Sequence, residues 1–413
     1  MEDVFLYILY LLLALVILLM MVMIHEFGHY CAGKLLHFKI NEFSIGFGKS
    51  LFSHKSKKTG EVFSIRLVPL GGYCAFEGEE NGSDVEGAFN KQAPWKRLIV
   101  LFSGAFFNIL SGIVFSIILL CATGYDVPQV YSVDSVAVVT QSTLKSTDTL
   151  ISVDDVMAGD YVMANLSAFI KDSVDSNLLT QKQTYQVVYS RDGEYATQLI
   201  EVTFSDNKDS LQVGDVILKV NGTKIDFIKN NLFSNLIQKT DGDVAQLTIK
   251  RNGEILTETV NLFNYGVDGT SRVVGIKSQS YKFTFGESLV RCVPFTFGLA
   301  YKVLECLWQL ITGQIGLSAV GGPITTITTI ATYTQSNFAS FFVLLPLIAV
   351  NLGVFNLLPI PALDGSKMIF TTIEWIRGKP IKPKIENAIH NIGFMVLMGL
   401  VIIADLYHLL FKG

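Results

Sequence analysis

His25-Glu26-Phe27-Gly28-His29 follows directly on residues 4–24, a run of 21 uncharged and mostly apolar residues. At 1.5 Å per residue such a run crosses a hydrocarbon core about 30 Å thick. A cleaved leader would begin basic and end on small residues. This chain begins with Glu2 and Asp3, and the histidine motif stands where a cleavage site would lie, so a retained membrane helix is expected. Four residues apart on a helix, His25 and His29 share a face and can offer both imidazoles to one cation. Glu26 stands about 100° round the helix from His25, where it reaches a water at that cation without being a ligand. That spacing points to Zn2+, with Glu26 as the base that takes a proton from water.

The rest of the composition agrees with a membrane setting. Half of the 413 residues are hydrophobic, 16% are charged and the mean hydropathy is +0.43, against about a quarter charged in soluble domains. A net charge of -4 leaves no basic footprint, so nucleic acid is not an expected partner. The five cysteines (Cys31, Cys74, Cys121, Cys292 and Cys306) lack C-x-x-C spacing and read as small buried hydrophobes. Further spans are expected at residues 98–124, 336–363 and 388–404, the second of these ending in Pro359 and Pro361. Residues 288–312 are apolar but hold Arg291, Lys302 and Glu305, which suits an amphipathic helix on the membrane.

Basic residues set the orientation. Ten lie between the first two spans and five (Lys367, Arg377, Lys379, Lys382 and Lys384) between the last two, with none ahead of the first. Both short loops are therefore expected in the cytoplasm, and the segment from about Asp126 to Phe285 outside. That segment reads as β-rich and repeats itself. Leu211-Gln-Val-Gly-Asp-Val-Ile-Leu-Lys-Val-Asn-Gly222 aligns on Leu144-Lys-Ser-Thr-Asp-Thr-Leu-Ile-Ser-Val-Asp-Asp155, and Arg251-Asn-Gly-Glu254 answers Arg191-Asp-Gly-Glu194. The second copy resembles a PDZ domain, a fold that binds extended peptides or chain ends at a sheet edge. The first looks like a degenerate one, with Thr147 in place of Gly214 and Asp155 in place of Gly222.

A catalytic zinc site needs a third protein ligand and an open fourth position. The candidate is Asp364, in Asn351-Leu-Gly-Val-Phe-Asn356-Leu-Leu-Pro359-Ile-Pro361-Ala-Leu-Asp364-Gly365. Its prolines free backbone groups that must be satisfied inside protein or a wet cavity. By the charge argument it lies at the same membrane depth as the histidines. Asn351 and Asn356 are amides in an apolar run. Three roles suit them: hydrogen bonding to a substrate backbone, stabilising an oxyanion, or pairing between helices. A substrate or oxyanion role is the one expected of Asn356.

H-E-x-x-H at a first span, N-x-x-P-x-P-x-L-D-G near a third, and an external β-insertion together resemble the bacterial site-2 protease family. The likeness extends to Phe43-Ser-Ile-Gly-Phe-Gly48, Leu67-Val-Pro-Leu-Gly-Gly-Tyr73 and Ser103-Gly-Ala-Phe-Phe-Asn108, and so covers nearly the whole chain. It implies an α-helical polytopic membrane protein of about four transmembrane helices, with an inserted extracytoplasmic α+β region of tandem PDZ-like domains. The implied parts are residues 1–125 (motif helix, membrane-dipping β-loop, second span), 126–200 (degenerate PDZ-like domain), 201–267 (PDZ domain), 285–335 (amphipathic helix and loop) and 336–413 (second membrane half). It further implies that His25, His29 and Asp364 hold zinc and that Glu26 is the base. Gly46 and Gly48 would belong to glycine-rich strands that pair with an extended substrate. Implied partners are the lipid bilayer and single-span membrane proteins, such as anti-sigma factors or signal-peptide remnants, cut within a bacterial cell membrane. Two positions depart from the family pattern: Ser366 replaces a second glycine after the aspartate, and Ala105 a proline ahead of Asn108. The alternative reading is a catalytically idle membrane scaffold that binds chain ends; the intact His25, Glu26, His29 and Asp364 speak against it.

Overall fold

The computed structural model describes residues 2–411 except 80, 81, 126, 227, 228, 266, 268–270, 317–320, 337, 380 and 382. Asp126, at the expected start of the insertion, and Lys382, one of the orienting cations, thus lie outside the described residues. The chain divides into two units, one of residues 1–123 and 283–413, the other of residues 124–282. Helix α1 (Glu2–Leu35) runs eleven residues beyond Ile24, so His25 and His29 stand inside a continuous helix and not at its end. Strands β1 (Ile40–Lys55) and β2 (Val62–Phe76) follow, and the pair folds over on itself. Residues 42–45 pair on one side with 72–75 and on the other with 62–65, which in turn pair with 52–55. The bend falls at Gly46 and Gly48, both at positive φ; a Cβ on Gly46 would lie 2.8 Å from the Val68 carbonyl oxygen. Residues 72–76 are left as an edge beside α1. Helix α2 (Pro94–Ala122) starts on a proline, where the missing N–H costs nothing.

The inserted unit holds β3 (Pro128–Val133), β4 (Val136–Gln141), β5 (Thr149–Val153), β6 (Val156–Met157), α3 (Leu166–Asp175), β7 (Thr184–Arg191), β8 (Glu194–Ser205), β9 (Val216–Val220), β10 (Thr223–Lys224), α4 (Phe233–Gln238), β11 (Val244–Arg251), β12 (Glu254–Asn261), β13 (Phe263–Tyr265), β14 (Ser271–Val273) and β15 (Ile276–Ser280). They build two modules with a common core, β8-β7-β5 with β6 and β12-β11-β9 with β10, to which the first adds β4 beside β8 and the second adds β3 and β15 beside β9. The internal repeat explains the likeness. Asp154-Asp155 and Asn221-Gly222 both turn with two positive φ values, as do Asp192-Gly193 and Asn252-Gly253. That is the turn whose twist suits a tight hairpin. Asp155 keeps its φ of 68° without being glycine, at a cost on the order of 1 kcal/mol. Each copy also closes on the same buried ion pair. Arg191 grips Asp148 at 2.7 and 2.6 Å, and Arg251 grips Asp215 at 2.8 and 2.7 Å. The Arg191 guanidinium holds the Asp148 carboxyl below the ordinary carboxylate range.

Residue 200 falls inside β8, and the second sheet is not confined to residues 201–267, because it takes β3 from before the first module and β15 from after it. The repeat marks the strands shared by both copies, whereas β3 and β15 have no counterpart in the aligned segments.

Beyond the insertion come α5 (Phe285–Ile311), α6 (Pro323–Ser336), α7 (Ala339–Leu357), α8 (Asp364–Arg377) and α9 (Pro383–Phe411). Among the described residues, four helical segments are long and apolar enough to cross a membrane: Phe5–Leu35, Pro94–Ala122, Ala339–Leu357 and Ile385–His408. The expected span at 336–363 is therefore shortened: α7 stops at Leu357, ahead of Pro359. Helix α5 begins with a reciprocal cap between Thr284 and Glu287 and packs on α2 and α7, with Thr296 Oγ1 2.9 Å from Ser116 Oγ. Helix α6 lies where a loop was expected. Its threonines satisfy their hydroxyls on carbonyls one turn back, and Asp405 of α9 accepts the N–H groups of Gly322 and Thr325 at its start. These partners offset a low intrinsic helix propensity. Met21, Phe115 and Leu345 fill much of the space between α1, α2 and α7, and glycines at single points let the helices approach closely in lipid. A Cβ on Gly28 would lie 2.5 Å from the Ser103 carbonyl oxygen, and one on Gly112 would lie 2.8 Å from Val350.

Asp215→Ala removes the bidentate partner of a guanidinium only 19% exposed, leaving it Glu258 at 3.4 Å and the Ser210 carbonyl, and is expected to destabilise the second module by about 3 kcal/mol, the low end for breaking such a pair. Hydrogen exchange of the β9 and β11 amides in the full-length protein measures this; protection equal to wild type would refute it.

Candidate metal centre

Helix α1 presents His25 and His29 one turn apart, toward α2 and the start of α8. His25 Nε2 and His29 Nε2 are 3.1 Å apart, and Asp364 Oδ2 lies 3.0 Å from the first and 3.2 Å from the second. Both imidazoles are buried and the Asp364 side chain is 16% exposed. His29 Nδ1 lies 2.8 Å from the Val100 carbonyl oxygen. A carbonyl only accepts, so Nδ1 carries the proton and Nε2 of the neutral ring presents a lone pair. That lone pair faces a carboxylate oxygen, which is also an acceptor. His25 Nδ1 meets the Asn108 amide at 3.2 Å, and among the described residues Asn108 Oδ1 is buried without a partner. Turning that amide by 180° lets Oδ1 accept from Nδ1–H of His25 and frees Nε2. Three lone pairs then converge, an arrangement that a shared proton or a bound metal cation relieves. Ligand atoms of a tetrahedral zinc lie about 3.3 Å apart for bonds of 2.0–2.1 Å, so the His25, His29 and Asp364 donor set fits Zn2+ in chemistry and in spacing.

Neighbouring elements leave the site little freedom. A Cβ on Gly104 of α2 would lie 2.5 Å from His29 Nε2 and 2.6 Å from His25 Cε1. Asp364 opens α8, and a Cβ on Gly365 would meet the Leu358 carbonyl oxygen at 2.3 Å, so α8 folds back hard against the end of α7. Ser366, a departure from the family pattern, fits: its Oγ donates to the Leu363 carbonyl at 2.8 Å. Ala105 is fully buried where α2 meets α7. In the connecting loop Ala362 holds a φ of 80°, a left-handed conformation that costs alanine about 1–2 kcal/mol.

Glu26 lines the same cavity, of about 860 Å³. Its Oε2 accepts the outward N–H of Cys74 at 3.0 Å, which ties it to the edge formed by residues 72–76. A Cβ on Gly72 of the same edge would lie 2.6 Å from the Ser44 carbonyl oxygen and 3.1 Å from Met23 Sδ. Tyr73, Cys74, Ala75 and Phe76 line the cavity, as does Asn356. Gly46, Gly48 and Asn351 do not line it. The two glycines make the bend in the β1–β2 sheet, and Asn351 is exposed on α7. Lys367 of α8 and Glu79 also line the cavity and pair at 2.7 Å. Sequence reasoning gave no role to Asn108, although an amide in an apolar helix is a signal in itself.

The model of peptidase family M50 matches residues 13–400. A regulator of sigma E protease from Haemophilus influenzae is 26% identical, the alignment covering 93% of this chain and 95% of that protein. Zinc metalloprotease RasP from Geobacillus kaustophilus is 27% identical, covering 93% of each. The protein of the same name from Oceanobacillus iheyensis is 25% identical, covering 93% of this chain and 94% of its own length. The family match runs through both helical halves and the insertion between them, and the chain belongs to peptidase family M50.

Proposed function

We propose that this chain is an intramembrane zinc endopeptidase of the site-2 type, with His25, His29 and Asp364 as metal ligands and Glu26 as general base. The convergence of three lone pairs within 3.2 Å, beside Glu26 in an apolar helix, carries the reading. Relatives named zinc metalloproteases support the metal. Zinc, when bound, supplies Lewis acidity that lowers the pKa of water and stabilises charge on the scissile carbonyl oxygen. The Val100 carbonyl and Asn108 hold the two imidazoles in the tautomer that leaves Nε2 free. Glu26 accepts the proton of the attacking water and delivers it to the leaving amine.

Helical peptide bonds are shielded, so a transmembrane substrate must be extended before it can be cut. The edge at residues 72–76 offers backbone groups for pairing next to Glu26, and Gly46 and Gly48 make the bend beside Ile45, the partner of Gly72 where that edge begins. Asn356 supplies an amide in the same cavity, for substrate backbone or oxyanion. The substrates proposed are single-span membrane proteins, membrane-bound anti-sigma factors among them, and signal-peptide remnants. The relative named regulator of sigma E protease supports the first class. The distribution of Lys and Arg supports a site toward the cytoplasm of a bacterial cell membrane, with the inserted modules outside. There, as PDZ-like domains, the modules act as a size filter that excludes substrates whose external domain is still attached.

Glu26→Gln is expected to keep wild-type zinc content while cleavage of a model single-span substrate falls by about 10²–10⁴-fold. Equal cleavage by the two proteins would end the assignment of Glu26, and none by wild type would favour the idle scaffold. Gly104→Ala, whose new methyl would strike both imidazoles, is expected to abolish stoichiometric zinc as measured by metal analysis of the purified protein. Deleting residues 127–280 should let precursors with intact external domains be cut; unchanged selectivity would count against the filter.

A further inference from the structure

Helix α9 contributes no donor to the His25–His29–Asp364 cluster, yet one turn of it bears on the loop that delivers Asp364. Asp364 is joined to α7 through residues 358–363, and in this loop Ala362 holds its left-handed φ of 80°. The Ala362 N–H points away from the loop and donates to His390 Nδ1 at 3.1 Å. Ser366 Oγ lies 3.4 Å from the same nitrogen. One turn further along α9, a Cβ on Gly393 would lie 2.1 Å from Pro361 Cβ and 3.2 Å from its Cα, so the helix backbone sits flush on the proline. His390 and Gly393 therefore grip consecutive residues of the loop, Ala362 and Pro361. Accepting from Ala362 requires Nδ1 without a proton, so the ring proton sits on Nε2. Among the described residues Nε2 is buried with no hydrogen-bond partner, 3.9 Å from Glu386 Oε1. The polar contacts of this imidazole thus lead to the loop.

A backbone N–H at membrane depth needs an acceptor, and a non-glycine residue held at positive φ needs its surroundings to keep it there. We infer that His390 is a positioning residue which, with Gly393, clamps the Pro361–Ala362 turn and so sets the Asp364 carboxylate against His25 and His29. This rests on the proposal that Asp364 is a zinc ligand. His390 acts through the loop and touches neither metal nor substrate. Asparagine can replace it in this role, because Asn Oδ1 occupies the place of His Nδ1 and is an acceptor.

The test is zinc affinity of the full-length protein in detergent, measured by competition with a chromogenic chelator, with the visible spectrum of the Co2+-substituted protein as second readout. Wild type and Asp364→Ala come first. Stoichiometric zinc in wild type and its loss in Asp364→Ala establish the ligand, whereas wild-type affinity in Asp364→Ala would remove the ground for both readings. His390→Ala is then expected to weaken zinc by about 10–100-fold, the usual effect of losing a supporting partner, and to alter the Co2+ bands. His390→Asn should bind close to wild type. Adding Ala362→Gly to His390→Ala should recover part of the loss, since glycine adopts the turn without strain. Wild-type affinity and spectrum in His390→Ala would overturn the inference. So would equal losses in His390→Ala and His390→Asn, which would mark a general packing defect.

Discussion

Lone pairs that meet within about 3 Å repel one another unless a proton or a metal cation lies between them, and an apolar interior screens that repulsion poorly. Bringing two imidazole nitrogens and a carboxylate oxygen to mutual distances of 3.0–3.2 Å therefore demands rigid walls. The membrane unit supplies one from each direction. Helix α1 fixes the imidazoles on one face, α2 closes beneath them through Gly104, and the fold-back of α8 at Gly365 sets the carboxylate. Each wall works by close approach of backbone, and each depends on a residue that lacks a Cβ. Much of the small-residue packing between these helices reads as a consequence of that one requirement, because lipid offers helices little hydrophobic reason to associate.

The folded-over β1–β2 sheet answers a different demand. An edge strand inside a bilayer would leave N–H and C=O groups unsatisfied. Here the outward N–H of Cys74 is met by Glu26, and residues 73–76 border a cavity. One contact thus orders the carboxylate and quiets the edge.

Much of this was legible in the sequence, because its signals were local. The His25–His29 spacing, the apolar runs and the repeat at 144–155 and 211–222 each follow from a short-range period, and Asp364 from its prolines and its depth. What escaped depended on contacts distant along the chain. Helix α6 is rich in β-branched residues and reads as a loop until Asp405, eighty residues later, caps it. Helix α8 begins at an Asp-Gly pair that alone suggests a turn, and only the packing against α7 makes it a helix start. Asn108 and His390 are isolated polar residues in apolar helices, with no periodic pattern to announce their partners. Gly46 and Gly48 were legible as special backbone positions, yet a bend and a binding edge leave the same trace in sequence.

Strands β3 and β15 pair antiparallel, from Pro128 against Ser280 to Val133 against Ile276. The chain therefore enters and leaves the inserted unit along one two-stranded ribbon. On a ribosome the first module has all the strands of its sheet once residues 136–205 have emerged, with β13 and Val267 packing on it later. The second module must keep β3 unpaired along its outer edge until β15 has been made. Its closure is a late, long-range event of the kind that slows folding. The unit thus carries a built-in order of assembly, in which the module interrupting the other in sequence is the one that matures first.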